Sequence, residues 1–291
     1  MFVFKAAVLG AGTMGGEIAQ VIASADVPVV MKDVKQEFID AGLTKAREVT
    51  EGQLASLVKK EKLTQEQADQ RGKEILGRIT GTTDYEGFGD ADFVVEAVPE
   101  RMEIKQAVFA ELDEVTPGHA ILASNTSALS ISEIGSATTR PDQVVGFHFF
   151  YPASIMRLIE IVEGEFTSEE TSQAAANFAM QIRKNPIRCG EDPGFVVNRV
   201  LNSAASEIWR YKDESGRSAE EIDKEIADAK VTPMGPFFLA DLLGLDTVLH
   251  VAEHLQASYG DRFYVHPRMK ELVEAGNLGQ KTGQGYYTHG G

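Results

Sequence analysis

The chain has 291 residues, 43% of them hydrophobic, enough for one large folded domain or two of ordinary size. Its net charge of −16, from 44 acidic and 28 basic residues, argues against nucleic-acid binding and obliges any anionic ligand to find a local basic or backbone N–H site. No run of about 18 apolar residues occurs, so no membrane span is expected, and the first apolar strand begins almost at Met1, so no signal or transit segment is expected either.

The first element, "FKAAVLG", reads as a short strand, and "GGEIAQVIASA" follows with helical spacing. Between them, "VLGAGTMGGEIA" carries Gly10-x-Gly12-x-x-Gly15. The spacing alone is a weak signal, shared by ligand-free glycine turns. Here it follows a strand and opens a helix, the context a dinucleotide site needs. Gly10 permits the tight turn, Gly12 lets the backbone approach a pyrophosphate, and Gly15 allows close helix–strand packing. The free N–H groups at the helix start then face the phosphates. "VPVVMKD" is the next strand, and Asp33 ends it 18 residues beyond Gly15. A carboxylate there accepts hydrogen bonds from ribose hydroxyls and repels a 2′-phosphate, which favours NAD over NADP. Lys32 and Lys35 flank it and leave some NADP use open.

A polar helical stretch covers about residues 36–77, and "TQEQ" at Thr64 to Gln67 has the form of a capping box, so a second helix is expected to start there. This makes a helix–turn–helix excursion between strands. "ADFVVEAV", "AILAS", "VVGFHFF" and "RLIEIV" then read as further strands. The alternation predicts an α/β fold with a doubly wound, mainly parallel Rossmann-type sheet. The pattern changes at "NPIRCGEDPG", residues 185–194, where proline and glycine punctuate the chain. Beyond it, "FVVNRVLNSAASEIWRYKDE", "DTVLHVAEHLQASYG" and "HPRMKELVEAG" read as helices, with a capping box at Ser218 to Glu221. The expected organisation is a dinucleotide-binding domain over residues 1–190 and an all-helical domain over residues 191–291. Cys189 is the only cysteine, so no internal disulfide is possible, which fits a reducing, cytoplasmic setting. No helix start or basic cluster adjoins it, so it reads as structural rather than reactive.

The stretch "HFFYPASIMRLIEIVEG" places a histidine at the end of one apolar run and Glu160 inside the next. If the two runs form an antiparallel hairpin, His148 and Glu160 are symmetric about Ser154 and face each other across the strands. Ile159 and Ile161 flank Glu160, so it should be at least half buried and in need of a partner. Taken singly, His148 fits a satisfied strand-end histidine and Glu160 a solvated outer-face residue. In this register, behind a dinucleotide fingerprint, they read as a base and its orienting carboxylate. Histidine titrates near neutrality and becomes cationic as it takes a proton from an alcohol. A buried carboxylate stabilises that cation and selects the tautomer.

Several ordered segments, "VVEAVPE", "ASNTSALSI", "HFFYP", "PGFVVNR", "PMGPF" and "GQKTGQGYY", make the chain resemble the 3-hydroxyacyl-CoA dehydrogenases over nearly its whole length. It is similar also to the dehydrogenase segment of multifunctional fatty-acid oxidation proteins. The resemblance implies NAD-dependent, reversible oxidation of L-3-hydroxyacyl-CoA, with His148 as base and Glu160 as its partner. Ser127 of "SNTS" and Asn198 of "VVNR" would contact the substrate. Glu100, Lys105, Asn125 and Lys281 would lie by the cofactor, with Thr13, Met14 and the glycines of the loop. Tyr151 departs from the family pattern, which usually has asparagine after "HFF", near the nicotinamide.

Other readings of these residues stay open. Asn125 to Ser127 can simply form a turn, with Ser130 capping the next helix. Lys59, Lys60 and Lys62 form the densest basic cluster. Lys60 matches a family lysine near the CoA, but a solvated helix face explains the cluster nearly as well. His250-Val-Ala-Glu253-His254 fits a zinc-peptidase pattern without a further ligand set, so an amphipathic helix is expected and no metal. Asn198 on the second domain would make the active site a cleft between domains, and the apolar faces of that domain's helices suggest a homodimer. A dehydrogenase of a small CoA-free hydroxy acid or sugar acid, or a non-catalytic, crystallin-like NAD-binding protein, are the rival functions. Lys59 and Lys60 argue against the first, and the set His148, Glu160, Ser127 and Asn198 against the second.

Overall fold

A computed structural model describes residues 2–290, which divide into two compact units between Glu191 and Asp192. The N-terminal unit alternates strands and helices. In order they are β1 (Ala6–Leu9), α1 (Thr13–Ser24), β2 (Val29–Lys32), α2 (Gln36–Lys59), α3 (Gln65–Leu76), β3 (Ile79–Thr82), β4 (Phe93–Glu96) and α4 (Met102–Val115). Then come β5 (Ile121–Ser124), α5 (Ile131–Gly135), β6 (Val144–Phe149), β7 (Leu158–Glu163), α6 (Glu169–Gln181) and β8 (Asn185–Gly190). The eight strands form one sheet in the order β3-β2-β1-β4-β5-β6-β7-β8. Every neighbouring pair is parallel except β6 and β7.

Strands β1, β2, β4 and β5 are buried at every position, which explains why each is a short, nearly continuous apolar run rather than an alternating one. Phe93, Phe147 and Phe178 pack together with ring centroids 4.5–5.8 Å apart, joining β4, β6 and α6 in the core. The helical excursion is α2 and α3, and Thr64 caps α3 in a reciprocal box with Gln67.

Two strands fall where the sequence shows none. The "ITGT" of β3 and the "NPIRCG" of β8 lie at the two edges of the sheet. Edge strands are only partly buried, so they lack the apolar run, and Pro186 is tolerated because β8 has a neighbour on one side only. The segment read as a punctuated boundary is thus still sheet up to Gly190.

The second unit is helical: α7 (Val197–Ser215), α8 (Ala219–Asp228), α9 (Pro236–Leu243), α10 (Leu245–Tyr259) and α11 (Pro267–Glu274). Its core gathers Trp209, Phe237, Leu245 and Met269. Ser218 forms the expected capping box at the start of α8. Helix α9 has N–H groups of its first turn taken by Asp223, whose carboxylate accepts from Phe237 N and Phe238 N. Buried Asp241 straps the C-terminal segment, accepting from Tyr286 N, Tyr287 N and His289 Nε2. No helix among the described residues is long and apolar enough to cross a membrane.

Candidate active site

The turn from β1 to α1 is built around its glycines. Gly10 has φ +99, and a Cβ there would sit 2.6 Å from the Ala97 carbonyl oxygen. A Cβ on Gly15 would come within 1.7 Å of the Gly10 carbonyl oxygen. Gly12 differs: a Cβ there would meet nothing within 4 Å. It faces open space at the head of α1, which has neither a side-chain cap nor an acid in its first turn. Thr13 and Met14 form that turn. The cradle therefore fits a pyrophosphate held by backbone N–H groups. Asp33 stands beside it with Oδ2 accepting from Ala11 N at 2.7 Å and Oδ1 from Val34 N at 2.7 Å. Two backbone donors thus fix the carboxylate, whose remaining lone pairs suit ribose hydroxyls. The residues fit NAD.

At the ends of β4 and β5 lies a buried charge network that sequence reading only half identifies. Lys105 (1% exposed) reaches both oxygens of Glu96 (0% exposed), at 2.7 and 2.9 Å, and lies 3.3 Å from Glu100 Oε2. Ser124 Oγ donates to Glu96 at 2.6 Å. Lys105 therefore anchors Glu100 from within the protein. Glu100 Oε1 in turn accepts from Thr126 Oγ1 at 2.6 Å and Ser127 N at 2.8 Å. Burial pushes the Glu100 carboxyl up, but the Lys105 ammonium and these donors together hold it below its ordinary value. The signal in the sequence is an acid inside the apolar run "FVVEAV", of the same kind as Glu160 inside "LIEIV".

Ser127 Oγ rests 3.3 Å from Glu100 Oε1, long for a hydroxyl hydrogen bond, so turning toward another acceptor costs little. Asn125 accepts from Phe149 N at 2.9 Å, which ties the end of β5 to the end of β6 and leaves its Nδ2 donor uncommitted among the described residues. Ser130 caps α5, accepting from Glu133 N.

Strands β6 and β7 pair antiparallel with His148 directly opposite Glu160. His148 is 6% exposed, Glu160 is fully buried, and Nδ1 lies 2.8 Å from Glu160 Oε2. A carboxylate only accepts, so Nδ1 carries the proton of this bond, and Nε2 is the nitrogen left with a lone pair. The loop joining the two strands, residues 150–157, is clamped by buried charges. Glu17 of α1 accepts from Ser154 N at 3.0 Å and Ser154 Oγ at 3.1 Å, and pairs with Lys45 at 3.3 Å. Lys184 donates to the carbonyls of Ala153 and Met156. Neither Glu17 nor Lys184 stands out in the sequence, since their partners lie 137 and about 30 residues away. Tyr151 is exposed on this loop.

The remaining candidates are spread over both units. Lys59, Lys60 and Lys62 are exposed at and beyond the end of α2. In the C-terminal unit, Asn198 is the second residue of α7. Lys281 pairs with Asp246 at 2.7 Å. Glu253 of the zinc-like pattern pairs with Lys270 at 2.9 Å, and no metal-ready group of His, Cys, Asp or Glu is found among the described residues. Cys189 lies half-buried on β8.

A dinucleotide cradle on a doubly wound sheet, with a buried histidine–carboxylate pair on its β6–β7 hairpin, fits an NAD-binding oxidoreductase. Comparison with known proteins narrows the class. Residues 5–192 match the NAD binding domain of 3-hydroxyacyl-CoA dehydrogenase, and residues 194–289 match its C-terminal domain. The chain belongs to the 3-hydroxyacyl-CoA dehydrogenase family. It is 40% identical over 286 residues to a probable 3-hydroxybutyryl-CoA dehydrogenase of Deinococcus radiodurans, covering 98% of this chain and 100% of that one. It is 41% identical to a 3-hydroxybutyryl-CoA dehydrogenase of Clostridioides difficile, with 98% and 99% covered. Among solved structures, the (S)-3-hydroxybutyryl-CoA dehydrogenase of Ralstonia eutropha superposes over 100% of both chains with a TM-score of 0.91 at 36% identity.

Proposed function

We propose that the chain interconverts an L-3-hydroxyacyl-CoA and its 3-oxoacyl-CoA, and that His148 is the general base. The observation that carries this reading is the buried His148–Glu160 pair in cross-strand register. NAD, when bound, supplies the hydride acceptor. His148 Nε2 takes the hydroxyl proton as the carbon is oxidised, and Glu160 stabilises the imidazolium that results. Ser127 Oγ holds the substrate oxygen, and Asn198 is assigned to the substrate by family resemblance. Asp33 and the glycine loop hold the cofactor, with Thr13 and Met14 in the first turn of α1. Asn125 and Glu100 line its approach, Lys105 orients Glu100, and Lys281 joins them by family resemblance. Lys60 attracts the CoA phosphates.

The deciding experiment is NADH oxidation with acetoacetyl-CoA and free acetoacetate in parallel. Turnover of the thioester is expected. Turnover of the free acid alone would make this a small hydroxy-acid dehydrogenase, and NADH binding without turnover of either would make it a binding protein. Exposed Leu201, Phe238 and Leu243 on the helical unit support a homodimer, which a monomeric mass at working concentration would remove. A cytoplasmic setting accords with the single cysteine.

A further inference from the structure

Three cations meet at one groove of the N-terminal unit. The groove, about 260 Å³, is bounded in part by Gln20 of α1, Gln53 of α2, Ser154 of the β6–β7 loop, and Arg157, Arg183 and Lys184. Lys184 is 7% exposed, and burial followed by repulsion from Arg157 holds its pKa below the ordinary lysine value. The carboxylate that opposes this is Glu17, which is already engaged by Lys45 and Ser154. Arg157 and Arg183 are exposed, and neither forms an ion pair among the described residues. Gln20 is buried with its Nε2 donating to Ser24, Thr50 and Gln53, while its Oε1 has no hydrogen-bond partner. Lys184 is engaged by the carbonyls of Ala153 and Met156, so the donors left for a ligand are the two exposed guanidinium groups, and two unpaired like charges at one groove of an acidic chain make a place for an anion.

We propose that this groove takes a phosphate group, and that the phosphate is one carried by the coenzyme A portion of the substrate. The inference rests on the acyl-CoA reading above. Guanidinium groups bind phosphate oxygens in pairs, and a cavity of about 260 Å³ holds a phosphoryl group with several waters, each about 30 Å³. The groove is distinct from the dinucleotide cradle, since Gln20 lies about two turns, roughly 10 Å, along α1 from Thr13. It shares its wall with the loop that joins the strands of His148 and Glu160, so one loop serves both the reacting end of the substrate and its charged tail. A hydroxyl or bridging water on the ligand satisfies Gln20 Oε1. Coenzyme A carries several phosphates, so this groove adds to the site assigned to Lys60, just beyond the end of α2.

The test compares acetoacetyl-CoA with acetoacetyl-N-acetylcysteamine, which has the thioester but no phosphate. In the double variant Arg157→Gln, Arg183→Gln, KM for acetoacetyl-CoA is expected to rise roughly tenfold or more, because two charge-assisted bonds are lost. The kcat on acetoacetyl-CoA, and both constants on the phosphate-free thioester, should stay within about twofold, and the salt dependence of KM should flatten. Inorganic phosphate should compete with acetoacetyl-CoA and not with the phosphate-free thioester. Equal inhibition of both thioesters, abolished by the double variant, would mean a separate anion effector site and overturn the coenzyme A assignment. An unchanged KM in the double variant, with a raised KM in Lys60→Gln, would move the phosphate to the lysine cluster. If the unaltered enzyme turns over neither thioester, the acyl-CoA reading fails and this inference with it.

Discussion

His148 Nδ1 and Glu160 Oε2 lie 2.8 Å apart across directly paired positions of two antiparallel strands, with the carboxylate wholly buried. The pair is a base only if the imidazole can accept a proton. His148→Gln keeps an amide that can donate to Glu160 but removes the base. Its kcat is expected to fall by about 10²–10⁴-fold with little change in thermal midpoint. Glu160→Gln leaves the imidazolium unopposed and should lower kcat less, with KM nearly unchanged. Steady-state kinetics with acetoacetyl-CoA checks both, and near-normal turnover in His148→Gln would falsify the assignment.

The glycine loop separates packing from binding. Gly12→Val places its side chain in open space, so the protein should fold normally while NADH affinity drops at least about tenfold, read by fluorescence titration. Gly15→Ala forces a Cβ into the Gly10 carbonyl and should instead lower stability by several kcal/mol, read by denaturant unfolding without cofactor. Equal behaviour of the two variants would contradict this division.

Asp33 is held by two backbone donors and flanked by Lys32 and Lys35. Asp33→Ala should weaken NADH roughly tenfold and bring NADPH to comparable or better kcat/KM, because the carboxylate that repels a 2′-phosphate is gone while exposed Lys35 remains; Lys32 is buried over the Tyr85 ring. Retained preference for NADH in that variant would place the discrimination elsewhere.

His266 in the helical unit is fully buried, between Tyr286 and Asp213. Burial lowers its pKa below the ordinary value near 6.5, against the pull of Asp213. As pH falls through about 6.5, the unfolded chain gains a proton that the folded chain refuses, so this contribution to stability is present above that pH and is lost below it. Trp209 is the single tryptophan and lies in the same core, so its fluorescence reports this unit. Its denaturation midpoint should fall between pH 7 and 5, and the fall should be smaller in His266→Gln. An identical pH profile in the two proteins would refute the link.

Tyr151 is 56% exposed, so Tyr151→Asn should alter stability by no more than about 0.5 kcal/mol. Any effect belongs in KM for NADH or for acyl chains of different length, measured over a series of 3-oxoacyl-CoA substrates. A large stability change would show that the ring packs more than its exposure indicates.

The glycine loop, Asp33, the capping boxes at Thr64 and Ser218, and the facing of His148 and Glu160 were all readable in the chain. Each depends on residues close in sequence: a turn, a cap, or a hairpin whose register follows from the symmetry of its two strands. The edge strands β3 and β8 were not readable, because partial burial removes the apolar periodicity that marks a strand. Nor were the partners of buried charges. "FVVE" announces a buried acid, but sheet order decides that Lys105 and Ser124 meet it, and the path of the β6–β7 loop decides that Glu17 holds Ser154. Periodicity encodes whether a side chain is buried. Which charges share that burial, including the three cations at the Arg157 groove, is a property of tertiary packing, because it joins segments that no local pattern connects.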